Sequence, residues 1–226
     1  MSRYGLIFDV DGVIADTEGI NARVTAKVLA ELFGIQGVVR SDFEAGLGRG
    51  PEPYIRVAAQ IHGRQLNAEE IQRATELRQE YILKTLRQEG LPVFAGVREL
   101  MESAMSSEDF QVAIATSGSL AKSRGILKAA KIPFEKMVYI TGDKVKHKKP
   151  NPELFLLASK GLDIEPHNCV VIEDTPAGVE AAKAAGSKCI AVTNSVNASA
   201  LSQADMICDS LEQIDIETLS GLIEGK

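Results

Sequence analysis

Asp9 and Asp11 stand two residues apart at the end of an apolar run, Tyr4-Gly-Leu-Ile-Phe8, and Gly12 follows them. The run reads as a buried strand, and the glycine lets the backbone turn sharply away from it. Open parallel sheets carry their chemistry at the carboxyl ends of their strands. Two carboxylates so close repel each other, so both staying ionised argues for a cation between or beside them. Mg²⁺, a hard ion that takes oxygen ligands, suits that position. Asp and Gly also make ordinary turns, and the pair by itself does not decide between the two readings.

Three further strand ends carry polar residues. Thr116-Ser117-Gly118-Ser119 follows Val112–Thr116 and offers hydroxyl and backbone N–H groups to an anionic oxygen; taken alone, the motif favours a plain helix N-cap. Lys146-His-Lys-Lys149-Pro150 follows the third apolar run. Pro150 holds Lys149 out of helical geometry just before a new helix starts, so its ammonium can sit over a pocket. A small site has room for one or two such groups, and Lys144, Lys146 and Lys148 are expected in solvent. Glu173-Asp174 closes the strand Cys169–Glu173 and could complete an oxygen cage with the first two aspartates, or form a surface turn.

Parallel strands must position these groups. The apolar runs are Tyr4–Asp9, Val112–Thr116, Met137–Ile140, Cys169–Glu173 and Cys189–Val192, with a short sixth at Met206–Cys208. Helical patterns separate most of them, which predicts an α/β fold with a parallel sheet wrapped on both faces. Leu120–Lys131 and Pro176–Ala185 are the clearest crossover helices, the second stopping at Gly186. From Thr17 to Gly90 only helical pattern is visible. Val24, Val28, Leu29, Leu32 and Phe33 form one stripe, and Asn67-Ala-Glu-Glu70 resembles a capping box before a helix expected to bury Ile71, Ala74, Leu77 and Tyr81. Such an insertion leaves the core beside the first strand end and could cover the site.

The 226 residues, 45% hydrophobic and 25% charged, suffice for one large domain with an insertion. A net charge of −6 argues against a general nucleic-acid surface. No apolar run reaches transmembrane length, and the first strand starts too early for a signal or transit peptide. Cys169, Cys189 and Cys208 lack a metal or redox spacing and read as buried reduced thiols, so a cytoplasmic protein is expected. Nothing in the sequence signals an oligomer, and a monomer is the default expectation.

Taken in order, these motifs make the chain resemble the haloacid dehalogenase superfamily, in its phosphatase and phosphomutase branch. Asp9-Val-Asp-Gly-Val13 is similar to the first family motif, Thr116 to the second, Lys149 to the third and Glu173-Asp174 to the fourth. The resemblance implies a Rossmann-like core over residues 1–16 and 91–226 and a small α-helical cap over 17–90. It implies that Asp9 attacks phosphorus to form an aspartyl-phosphate and that Asp11 protonates the leaving alcohol and then activates water. Mg²⁺ is then held by an Asp9 carboxylate oxygen, the Asp11 carbonyl and Asp174, with Glu173 close by or through water. Thr116 and Lys149, with Ser117 and Gly118, hold the phosphate oxygens.

In the cap, Gly46-Leu-Gly48-Arg49-Gly50 resembles the substrate-facing loop of β-phosphoglucomutases and related sugar phosphatases. Arg49, with Arg78 second, is expected to meet a second phosphate or a sugar hydroxyl; either could instead be an exposed charge. The mutases usually carry a His where this chain has Asn21, and Ile140-Thr-Gly-Asp143-Lys-Val145 resembles phosphatases of the same branch. The expectation is a Mg²⁺-dependent phosphatase for a small phosphorylated metabolite, a sugar phosphate or bisphosphate. A β-phosphoglucomutase is the runner-up. A non-catalytic metabolite-binding protein is a third reading, opposed by intact Asp9, Asp11, Lys149 and Asp174.

Overall fold

The computed structural model describes residues 4–47, 49–89 and 91–225. Gly48 of the expected substrate-facing loop and Gly90 at the expected cap boundary lie outside the described residues. Six strands form one sheet: β1 (Tyr4–Phe8), β2 (Phe110–Thr116), β3 (Val138–Thr141), β4 (Cys169–Glu173), β5 (Lys188–Val192) and β6 (Met206–Cys208). Their order is β3-β2-β1-β4-β5-β6, and every pairing is parallel. The chain fills one side of β1 and then the other, so the order reverses between β1 and β4, where open α/β sheets bind ligands. The register sets Phe8 opposite both Ile114 and Ile172. Asp9, Thr116 and Glu173 therefore emerge at one edge.

Alternation along the strands feeds two apolar layers. Leu6, Phe8, Ile114 and Ile172 face a core shared with α4 (Val97–Ser106), α5 (Leu120–Ala129) and α8 (Ile216–Glu224). Ile7, Ala113, Ala115 and Val171 face α6 (Glu153–Leu162) and α7 (Pro176–Ala184). β2 begins two residues before the apolar run suggested, because Tyr4 pairs with Phe110 across the exposed Gln111.

Between β1 and α4 lie three α-helices, α1 (Glu18–Phe33), α2 (Pro51–Ile61) and α3 (Ala68–Glu89), with a 3-10 turn at Arg40–Gly46. They close around their own apolar cluster, including Leu29, Phe43, Ile55, Ala58 and Ile71. The capping box is formed: Glu70 N–H donates to Asn67 Oδ1 at 2.9 Å and Asn67 N–H to Glu70 Oε2 at 3.0 Å. The buried stripe of α3 differs from expectation. It runs Ile71, Ala74, Arg78, Ile82 and Leu86, while Leu77 and Tyr81 are only half-buried. A charged residue can occupy that stripe because α1 supplies its partners: Arg78 Nε donates to Thr25 Oγ1 at 2.6 Å and a terminal nitrogen to Asn21 Oδ1 at 2.9 Å.

Candidate active site

The buried carboxylates of Asp9, Glu173 and Asp174 each offer an oxygen within 4.8 Å of the others. Lys149, itself buried, donates to Asp9 Oδ1 at 2.7 Å and also to Glu173 Oε1. Glu173 Oε2 accepts from Asp174 N–H (2.9 Å), Thr175 N–H (3.2 Å) and Thr175 Oγ1 (3.1 Å). Both Glu173 oxygens are thus engaged, and Glu173 anchors Lys149 to the turn from β4 into α7. Asp174 differs. Its Oδ2 accepts from Ser195, while Oδ1 is buried with no partner among the described residues.

An orphaned, buried carboxylate oxygen beside two more acids fits a hard divalent cation. Gly12 makes the approach possible. Its φ is +78°, and a Cβ there would fall 1.8 Å from Asp174 Oδ2. One ammonium serves three acids. Burial, followed by the charge of Glu173, raises the Asp9 pKa to about 7 despite the opposing pull of Lys149. Burial, Glu173 and Asp9 together raise Asp174 well above the carboxylate range. For Lys149, burial favours the neutral form, but Asp9 and Glu173 outweigh it and its pKa rises. A cation among these acids would relieve the excess negative charge.

The Asp11 carboxylate lies apart from that cluster, so a metal role for Asp11 is left to its backbone carbonyl. Its Oδ1 accepts from Lys122 Nζ at 2.7 Å, from Thr17 Oγ1 and from Asn21 Nδ2 at 3.3 Å. Burial would raise its pKa, but Lys122, Thr17 and Asn21 more than offset this and lower it. Thr116 and Ser117 are buried and face the same cavity. Thr116 Oγ1 accepts from Gly118 N–H at 3.1 Å, and Ser117 Oγ has no partner among the described residues. The N-cap role belongs to Ser119, which accepts from Lys122 N–H at 3.3 Å at the start of α5.

The cavity, of about 240 Å³, lies between the strand ends and the helical segment. It brings together Asp9, Asp11, Thr116, Ser117, Gly118, Lys149, Asp174 and Arg78. Arg78 is buried, and its guanidinium carbon lies 5.1 Å from the Tyr54 ring centre. Arg49 is exposed and is not among the lining residues; its neighbours Leu47 and Gly50 are. Lys144 and Lys146 are exposed as expected, but Lys148 is half-buried and lines the cavity. Its stem packs on Gly50, which explains the departure. Sequence reasoning missed Lys122, Tyr54, Glu18 and Ser195, all of which line the cavity. Ser195 was accessible to it, since it stands just past the fifth apolar run. Lys122 carries no local signal, because it meets Asp11 only through the fold.

A sequence profile of the haloacid dehalogenase-like hydrolases matches residues 6–192. Hexitol phosphatase A from Escherichia coli K12 is 31% identical over 221 residues, 94% of this chain and 93% of that protein. A solved structure of a CbbY variant from Rhodobacter sphaeroides, in complex with xylulose-(1,5)bisphosphate, superposes with a TM-score of 0.84 at 26% identity. That match covers 96% of this chain and 99% of the other. β-Phosphoglucomutase from Clostridium difficile shares the fold, with a TM-score of 0.85 at 24% identity over 99% and 98% of the two chains. No helix among the described residues is long and apolar enough to cross a membrane.

Proposed function

The chain belongs to the haloacid dehalogenase-like hydrolases, and from that premise we propose that it is a Mg²⁺-dependent phosphatase acting on a sugar phosphate or sugar bisphosphate. Its similarity to a hexitol phosphatase supports phosphate-ester hydrolysis. The observation that carries the reading is the arrangement at one strand edge. Asp9 is held by Lys149, Asp174 keeps an unpartnered buried oxygen beside it, and Asp11 faces the same cavity. Residues 17–90 act as the cap and residues 1–16 and 91–226 as the core.

Asp9, the Asp11 carbonyl and Asp174 would hold Mg²⁺, with Glu173 alongside. Bound there, the ion would supply positive charge that lets an anionic nucleophile approach an anionic phosphate. Asp9 attacks phosphorus, the ester P–O bond breaks, and an aspartyl-phosphate forms. Asp11 gives a proton to the departing alkoxide; Lys122, Thr17 and Asn21 hold Asp11 ionised in the free enzyme, so it takes that proton up as the substrate monoanion binds. With three donors on Oδ1, its other oxygen is left for that transfer. Lys149 and the Thr116–Gly118 turn hold the phosphoryl oxygens as charge shifts among them. Asp11 then takes a proton from water, which attacks the phospho-enzyme, releases phosphate and restores Asp9.

Asn21 supports hydrolysis over phosphoryl transfer between sugar positions, since the mutase pattern has His there. The test is phosphate release from a panel of sugar mono- and bisphosphates. Release that requires Mg²⁺, stops on exhaustive chelation and falls at least ~10³-fold in Asp9→Asn supports the proposal. No release from any ester, or undiminished release in Asp9→Asn, overturns it. Rapid conversion of β-glucose 1-phosphate to glucose 6-phosphate with catalytic glucose 1,6-bisphosphate, and little free phosphate, favours the mutase.

A further inference from the structure

Lys148 and Lys149 are adjacent in the chain but differ in their engagement. Lys149 is buried and committed to Asp9 and Glu173. Lys148 is half-buried, lines the same cavity and reaches the helical segment at Gly50. Among the described residues it is the one cavity-lining cation whose side chain makes no hydrogen bond or ion pair: Lys149 is paired with Asp9 and Glu173, Lys122 with Asp11, and Arg78 with Asn21 and Thr25. We propose that Lys148 forms a distal anion subsite, which takes a second phosphate or a carboxylate carried by the substrate away from the scissile ester. The proposal rests on the phosphatase reading and narrows its substrate class to doubly anionic metabolites.

The position is built into the fold. Gly50 has φ +96°, and a Cβ there would stand 3.0 Å from Lys148 Cδ and 3.2 Å from Nζ. The missing side chain leaves room for the lysine against the helical segment. The core loop that presents Lys148 is pinned. The Glu153 carboxylate accepts from Lys146 N–H at 3.0 Å and His147 N–H at 2.9 Å, and Lys148 C=O accepts from Asn151 N–H at 3.0 Å. The unpaired ammonium of Lys148 is the reason to expect an anion there. Glu18, Glu52 and Asp143 also line the cavity. They would repel a second negative group on the substrate unless a free cation met it there. An ammonium carried on that pinned loop, with no protein partner of its own, can meet it by a charge-assisted hydrogen bond. Arg49 is exposed and outside the lining, and leaves that role to Lys148.

The test measures binding without turnover, by calorimetry with Mg²⁺ on the full-length Asp9→Asn chain. Two matched pairs separate the sources of the anion: fructose 1-phosphate against fructose 1,6-bisphosphate, and glycerol 3-phosphate against 3-phosphoglycerate. We expect at least one pair to favour the doubly anionic member by about 10-fold or more, the scale of one charge-assisted contact. Adding Lys148→Ala should remove most of that preference, and Lys148→Arg should retain it. The first pair alone responding identifies a phosphate subsite, and the second alone a carboxylate subsite. No preference in either pair, or a preference that survives Lys148→Ala, overturns the proposal. Matching thermal melts of the Ala and Arg variants exclude misfolding as the cause. Hydrolysis of p-nitrophenyl phosphate by the wild-type chain judges the phosphatase reading separately, because that ester carries no second anion.

Discussion

Arg78 and Arg49 show how exposure separates two residues of one type. Arg78 is 5% exposed, lines the cavity and hydrogen-bonds to Asn21, which in turn donates to Asp11. Arg49 lies on the exposed loop before α2. Replacing Arg78 by Ala removes a charge-assisted contact and leaves Asn21 short of a donor. We expect kcat/KM for the best sugar phosphate to fall roughly 10- to 100-fold in Arg78→Ala, and less in Arg49→Ala. Steady-state kinetics of both variants checks the order; a larger loss in Arg49→Ala would place the substrate against the loop instead. The sequence marked both arginines, but exposure depends on how α3 is rotated against α1, and that rotation is a tertiary property.

At the scale of elements, α7 is seated directly on the Glu173 carboxylate. A Cβ at Gly178 would fall about 2 Å from Glu173 Cδ and both its oxygens. Gly178→Ala must therefore displace either the helix or the anchor of Lys149. It should destabilise the chain by about 1–3 kcal/mol, as overpacking does, and lower phosphatase activity as well; urea denaturation and an activity assay check the two effects. Across the sheet, Asp205 joins α7 to β5: it accepts from Lys183 Nζ at 2.5 Å and from Cys189 N–H at 2.8 Å. Burial alone would raise its pKa, but Lys183 and the Cys189 amide lower it below the usual 3.8. Its contribution to stability is then present above the ordinary value and lost as pH falls through the lower, folded one. Asp205→Asn should lose less stability than the wild type between about pH 6 and about pH 3, read from urea midpoints. An unchanged pH dependence would assign the acid sensitivity to other carboxylates.

For the whole molecule, the parallel sheet gathers Asp9, Glu173 and Asp174 into a pocket where their charges oppose folding. A divalent cation that binds only the folded chain should stabilise it. At a hundredfold excess over Kd the gain is about 2.7 kcal/mol, or roughly 5–10 °C in Tm for a chain of this length. Differential scanning calorimetry with Mg²⁺ and after chelation should show that shift, and Asp174→Asn should remove most of it. Equal melting temperatures with and without Mg²⁺ would argue that these acids do not hold the ion. This measurement is independent of turnover.

Strand positions were legible because buried strands leave short apolar runs, and the parallel reading then placed Asp9, Thr116, Lys149 and Glu173-Asp174 near one edge. The capping box at Asn67 and the stop at Gly186 were legible because both are contacts between near neighbours in the chain. The partners of those groups were decided by tertiary structure. Lys122 meets Asp11 across 111 positions and Arg78 meets Asn21 across 57. No periodicity encodes which side chains face each other when helices pack at a particular rotation. Lys148 and Lys149 make the same point within one dipeptide: the sequence showed two lysines before a proline. Only the packed loop and the open space at Gly50 sent one to the buried carboxylates and left the other free in the cavity.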